Sequence, residues 1–477
     1  MINSVIYTTQ QVAEMAGVHK DTLLRWLREG RVSEPGRDRN GWRVFTPEET
    51  RRVVEYTKGA FADTAPVMAE KRVGYTPHLP YAEALPRLEG LNWDFAAANT
   101  GYLTHAMHPY PAKFIPQIPN TLIQELSAVG ETVLDPFCGS GTSLVEARRL
   151  GRHALGVDAN PLACLISRAK ASCISESERE ILLHLANEIQ QSAQQSSIGR
   201  LPLFPDLPAF PTPLKRHTFE GIGEWFDEHV IDELSFIKEK CSSLRSTRAR
   251  QLALVAFSSI IVTVSRQDSD TRYVRRDKQI KPGETLQLFS RALVQASRCA
   301  FEFSQEVDPR LTTQVFEANL LDAPNVGPVD LVVCSPPYPN AYSYHLYHRT
   351  RMLWLEMDQP KFKRQEIGSH RKYSSKGVNA ATIETFRAEL RTILTWLRGQ
   401  LRPNRHACFV IGDSTLKGEI IRNDELLIEV ARETGFRVEA NLNRELQSTK
   451  KYFNPKIGKI KDEHLVILRN VEEGHNG

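Results

Sequence analysis

The chain has 477 residues, enough for two to four domains. Its 41% hydrophobic and 25% charged residues fit a globular protein with a sizeable core, and a net charge of +4 neither proves nor excludes a polyanionic partner. Seven scattered cysteines, without a C-x-x-C pair, argue against a disulfide framework or a structural zinc, so the expectation is a cytoplasmic chain with no metal. No secretory signal pattern opens the sequence. Its longest apolar run, Leu252 to Val264, is broken by Ser258 and Ser259 and reads as a core helix, so no membrane partner is expected.

Residues 1–56 read as one compact unit. Thr8 and Gln11 have capping-box spacing, and Val12, Ala13 and Ala16 share one helical face. After a turn at Gly17, a second helix from Lys20 to Arg28 carries Leu23, Leu24 and Leu27 inside and Lys20, Arg25 and Arg28 outside. A basic hairpin with Arg37, Arg39 and Arg43 follows, then Thr46-Pro47-Glu48-Glu49 starts another helix. This succession resembles the winged helix-turn-helix of the MerR and excisionase family. The resemblance rests on Leu23-Leu24-Arg25-Trp26-Leu27 and on Gly41-Trp42-Arg43-Val44-Phe45-Thr46. It implies that Lys20 to Arg28 enter the major groove of double-stranded DNA while Arg37, Arg39 and Arg43 grip phosphates. Residues 57–100, with weak periodicity and several prolines, read as a linker.

Residues 101–172 and 311–470 alternate strand and helix patterns, and residues 173–310 read as a helical insertion between them. The first strand, Thr132 to Leu134, runs into Asp135-Pro136-Phe137-Cys138-Gly139-Ser140-Gly141-Thr142 and then a helix. Strand, glycine turn and helix make half of a nucleotide-binding βαβ unit, and a second strand ends at Asp158, where an acid commonly accepts from ribose hydroxyls. A third strand ends near Asn319. The fourth, Asp330 to Cys334, stops at Ser335-Pro336-Pro337-Tyr338, where two prolines fix a stiff turn at the strand's carboxyl end. Within the insertion, Ser265 to Lys278 is dense in Arg, Gln and Asp, side chains able to read base edges. Gln267 and Arg272 stand for that reading, against the plainer one of a solvated loop.

The loop Asp135 to Thr142 together with Ser335 to Tyr338 resembles the amino-directed DNA methyltransferases that modify cytosine at N4 or adenine at N6. His108 to Phe114 and Gly412-Asp413-Ser414 also match. The resemblance implies an α/β, Rossmann-like fold with S-adenosylmethionine as cofactor. It places Lys113, Phe114, Asp135, Phe137, Gly139, Gly141, Thr142, Asp158 and Asn319 at that cofactor, with Ser335, Pro336, Pro337 and Tyr338 catalytic. Serine at the first catalytic position favours N4-cytosine, since N6-adenine enzymes usually carry Asp or Asn there. Target recognition would fall to the insertion, and a restriction role would need a separate endonuclease. The competing reading is a DNA-binding regulator with an inactive methyltransferase domain.

Overall fold

The computed structural model describes residues 7–16, 23, 24, 26, 27, 32–37, 43–62, 81–95, 98–198, 213, 215–339, 342–374, 381–416, 418–445 and 462–471. The chain divides into two compact units, Met1–Pro77 and His78–Gly477.

In the smaller unit the expected capping boxes are both formed. The Thr8 amide donates to Gln11 Oε1 at 2.9 Å, and the Thr46 amide to Glu49 Oε2 at 2.8 Å. Val12, Ala13, Leu23, Leu27, Phe45 and Val53 close a small core. The wing is present, with Gly36–Arg37 pairing antiparallel to Arg43–Phe45. A strand absent from the sequence reading, Tyr7–Thr8, pairs with the other side of Arg43–Phe45. The following helix, Pro47–Ala62, runs beyond the expected limit at residue 56.

The larger unit is built on a seven-stranded sheet. In chain order its strands are β1 Thr132–Asp135, β2 His153–Asp158, β3 Thr313–Glu317, β4 Val329–Cys334, β5 Leu401–Gly412, β6 Phe436–Glu445 and β7 Asp462–Asn470. Their spatial order is β6-β7-β5-β4-β1-β2-β3, with β3, β2, β1, β4 and β5 parallel and β7 antiparallel to both neighbours. This is a Rossmann-like α/β sheet, and its winding reverses between β1 and β4, the place where such sheets bind ligands.

Alternation of side chains across the strands creates two cores. Val133, Leu331 and Val333 face the helices Gln117–Leu126 and Thr142–Arg149, whereas Leu134, Val332 and Cys334 face Ile383–Gln400 and Asn423–Glu433. All six residues of β4 are buried, as a central strand covered on both sides requires.

Part of the expected linker belongs to this unit. Tyr81–Gly90 is helical despite Pro86, and Ala84, Leu88 and Trp93 join the core under Gln117–Leu126. The insertion supplies the long helices Glu176–Ile198, Glu228–Ser242, Thr247–Val264 and Glu284–Glu306. They share one core with Leu162 and Ile166 before them and with Met352, Trp354 and Phe362 after them. Thr247–Val264 is long and apolar enough to cross a membrane by composition alone, but 61% of that stretch is buried within this helical core.

Candidate active site

The parallel register aligns Leu134 with Val332, so β1 and β4 end side by side. Ser143 joins the two ends. Its hydroxyl lies 2.6 Å from Asp135 Oδ2 and 3.1 Å from the Val333 carbonyl.

The loop between them is folded by its own backbone. Gly139 and Gly141 take φ of +48° and +77°, which L side chains rarely adopt. A Cβ on Gly141 would stand 3.0 Å from Ser167, whose hydroxyl donates to the Gly139 carbonyl at 2.7 Å. Asp158, ending β2, accepts from the Gly139 amide at 2.9 Å and the Asn160 amide at 2.8 Å. Burial pushes its carboxyl up to about 6, while those two amides oppose the shift.

A cleft opens over these strand ends. Lys113, Phe114, Phe137, Gly139, Thr142, Asp158 and Asn319 line it, and so do all of Ser335, Pro336, Pro337 and Tyr338. Asp135 and Gly141 stand behind it. The Asp135 carboxylate turns inward to Ser143 and to the Phe137 amide at 3.1 Å, and burial pushes it up to about 7. Its place is therefore under the loop, holding it closed. The Lys113 amine is likewise engaged, donating to the His105 carbonyl at 2.8 Å. Asn319 Oδ1 accepts from the Leu321 amide at 3.2 Å, which leaves its amide nitrogen for a ligand.

Several lining residues escaped the sequence reading. Tyr110, Tyr342 and Tyr344 form an aromatic wall with Tyr338; Tyr110 stacks on Tyr344 with ring centroids 5.8 Å apart. The segment Phe362 to Ile367 covers the cleft and is pinned by a buried hydrogen bond between Glu366 and His345. Behind it Gly368, at φ +71°, presses so close that an added Cβ would lie 2.7 Å from the Tyr338 carbonyl. Glu463 lines the cleft from β7 and pairs with Arg444 of β6. The tyrosine-rich run from 338 to 347 was the available signal. The rest depended on pairing across long separations.

The residues expected to meet DNA belong to both units. Lys20, Arg25, Arg28 and Arg39 lie outside the described residues. Arg37 ends the first strand of the wing, and Arg43 is half-buried and donates to Glu34 at 2.8 Å. Gln267 is fully buried. Its amide bonds the carbonyls of Ser269 and Tyr347, and its Oε1 accepts from Thr350 at 2.9 Å, so it builds the hairpin base and leaves no edge for a nucleobase. Arg272 stands exposed on that hairpin, 3.2 Å from Asp268.

Residues 81–169, which contain the glycine loop and Asp158, match the family described as DNA methylase, N6_N4_Mtase. That match likens this part of the chain to the amino-directed DNA methyltransferases. Residues 8–45 match the MerR family regulatory proteins. The Type II methyltransferase M.MvaI of Kocuria varians is 27% identical over 296 residues, 55% of this chain and 60% of that protein. The Type II methyltransferase M.MjaII of Methanocaldococcus jannaschii is 34% identical over 108 residues, 21% of this chain and 20% of that protein. The chain thus spans less than two thirds of the length of either relative. Among solved structures, TrmN from Thermus thermophilus aligns with a TM-score of 0.30 at 11% identity, over 98% of this chain and 81% of that one, too loosely to add to the topology.

The family's methyl donor, S-adenosylmethionine, fits the groups present. Gly139 brings backbone to the cleft floor beside the Asp158 carboxylate, an acceptor suited to a diol. Ser140 Oγ, on the same floor, is buried with no hydrogen-bond partner among the described residues.

Proposed function

We propose that the chain methylates the exocyclic N4 amine of cytosine at specific sites in double-stranded DNA, using S-adenosylmethionine and a base turned out of the duplex. One observation carries the reading: the Ser335-Pro336-Pro337-Tyr338 turn and the Asp135–Thr142 loop open into a single cleft at the sheet's switch point.

S-adenosylmethionine supplies an electrophilic methyl group on a sulfonium. An exocyclic amine is a weak nucleophile because its lone pair is delocalised into the ring. The chain's task is to hold it with acceptors that favour a more tetrahedral nitrogen and to align it with the donor. Ser335 Oγ and the Pro336 carbonyl are those acceptors. The paired prolines fix where they point, and Tyr338 with Tyr342 gives the base a stacking face. A thiol mechanism finds no support. Cys138 and Cys334 are buried, and burial pushes both thiols well above their ordinary range, away from the reactive thiolate.

The helix-turn-helix unit, through Lys20, Arg25, Arg28, Arg37, Arg39 and Arg43, adds affinity for the phosphate backbone, and Arg272 contributes from the insertion. The reading places the enzyme in the cytoplasm, where a restriction role would call on a separate endonuclease.

The test is to express the chain in a host free of its own DNA methylation, digest the DNA to nucleosides and separate them by mass spectrometry. N4-methylcytosine is expected. N6-methyladenine alone would overturn the base assignment, and unmodified DNA despite cofactor binding would favour the inactive-regulator reading.

A further inference from the structure

At the same edge of the sheet as the cleft, three side chains from separate elements converge. Asp413 follows the last residue of β5, Asp424 lies in the first turn of the helix Asn423–Glu433, and His464 sits on β7 opposite Ile411. One ligand atom from each lies within 4.8 Å of the others. The bonds they make account for only part of their capacity. Asp424 Oδ2 accepts from Asn441 Nδ2 at 2.9 Å and lies 3.4 Å from His464 Nδ1, and Asp413 Oδ2 faces Arg422 at 3.2 Å.

What remains is unusual. Asp413 Oδ1, Asp424 Oδ1 and His464 Nε2 are each buried with no hydrogen-bond partner among the described residues, and so are Ser414 Oγ and Asn423 Oδ1 of the residues adjacent in sequence. Asp424 is 5% exposed and Asn423 fully buried, with Asn423 Nδ2 tied to the Gly412 carbonyl at 2.8 Å. An unsatisfied buried polar atom costs about 1–3 kcal/mol. Here three such atoms belong to the three converging residues, two of them carboxylates, and one arginine offsets only one of those charges. Such a set favours a cation over an apolar or anionic neighbour.

We propose that Asp413, Asp424 and His464 bind a divalent first-row cation, Mn²⁺ or Zn²⁺. Imidazole with carboxylate suits these ions better than the all-oxygen shells that Ca²⁺ and Mg²⁺ prefer. The ion joins the end of β5, the start of the next helix and β7. Glu463, the residue before His464, points to the opposite face and lines the cleft. The ion is thus a strut behind the cleft wall, outside the transfer chemistry. The spacing of the three residues in sequence carries no metal signature, because folding alone assembles them.

The full chain, stripped with EDTA and dialysed, is titrated with MnCl₂ by calorimetry and electron paramagnetic resonance. Mn²⁺ is the probe because cysteine thiolates take it poorly. The expected result is one equivalent bound, an upward shift of the unfolding midpoint with Mn²⁺, and at least a tenfold loss of affinity in Asp413→Asn, Asp424→Asn and His464→Gln. No saturable binding by the parent, or undiminished affinity in the variants, overturns the proposal. Should the more buried Asp424→Asn fail to fold, Asp413→Asn on its partly exposed turn decides alone. None of these readouts depends on methyl transfer, so the cation site and the enzymatic reading fail separately.

Discussion

Ser335 follows β4 and Asp158 ends β2, and the two answer to different measurements. In the proposed mechanism Ser335 offers an acceptor to the target amine, and the cofactor is held by other residues. Ser335→Ala should lower the transfer rate by about 10²–10³-fold, the usual cost of losing one preorganised group at a reacting centre. The cofactor dissociation constant, read by calorimetry, should stay within about threefold. A comparable loss in both would place Ser335 at the cofactor instead. Asp158 titrates near 6, raised from the ordinary 3.8 by burial. The folded state therefore favours its protonated form. The cost of ionising it is absent below about 4, grows between about 4 and 6, and is complete above that. A diol donates best to the ionised carboxylate, so cofactor affinity should fall as pH drops through about 6, by up to tenfold per unit. Asp158→Asn should bind weakly and without that step. An unchanged step in the variant would assign the titration to another group.

Among the elements, the insertion meets the segment 347–362 through several contacts, one of them a buried ring. Trp354, fully buried on the helix Arg349–Trp354, stacks on His217 at 4.9 Å and meets Phe226 at 5.6 Å and Phe257 at 6.0 Å edge-on. Trp354→Ala should cost about 3–5 kcal/mol, measured by denaturant unfolding, and should loosen the adjoining tyrosine segment. A loss under about 1 kcal/mol would mean that the site repacks. The cofactor loop, the Ser-Pro-Pro-Tyr turn and the helix Ile383–Gln400 were legible in the sequence because their causes are local: glycine, proline, capping and hydrophobic period. The helix Tyr81–Gly90 was not, because Pro86 masks a short amphipathic pattern that only packing on Gln117–Leu126 stabilises. Gln267 misled for a similar reason. A polar side chain reads as exposed until Thr350 and Tyr347, distant in sequence, are found to satisfy it. Asp135 kept its motif position yet turned inward, since Ser143 and the Phe137 amide compete for its oxygens.

For the molecule as a whole, the proposed function assigns a different kind of binding to each of the two units divided at Pro77. The larger unit owns the complete sheet, both of its cores and every residue of the cleft, so removing Met1–Pro77 takes nothing from the cofactor site. The smaller unit has its own core and a wing bearing Arg37, and in the proposed function its contribution to DNA binding is additive and largely electrostatic. A chain beginning at residue 78 should therefore keep its cofactor dissociation constant within about twofold. It should bind a duplex containing the methylation site about 10–100-fold more weakly near physiological salt, in line with losing a few phosphate contacts. The decisive quantity is the salt dependence. If the unit grips phosphates, its removal should make the plot of log affinity against log salt shallower by about one unit per lost contact, with the same base methylated at saturating DNA. An unchanged slope together with altered site preference would mean that the unit reads sequence. Unchanged slope and unchanged affinity would assign it to a protein partner.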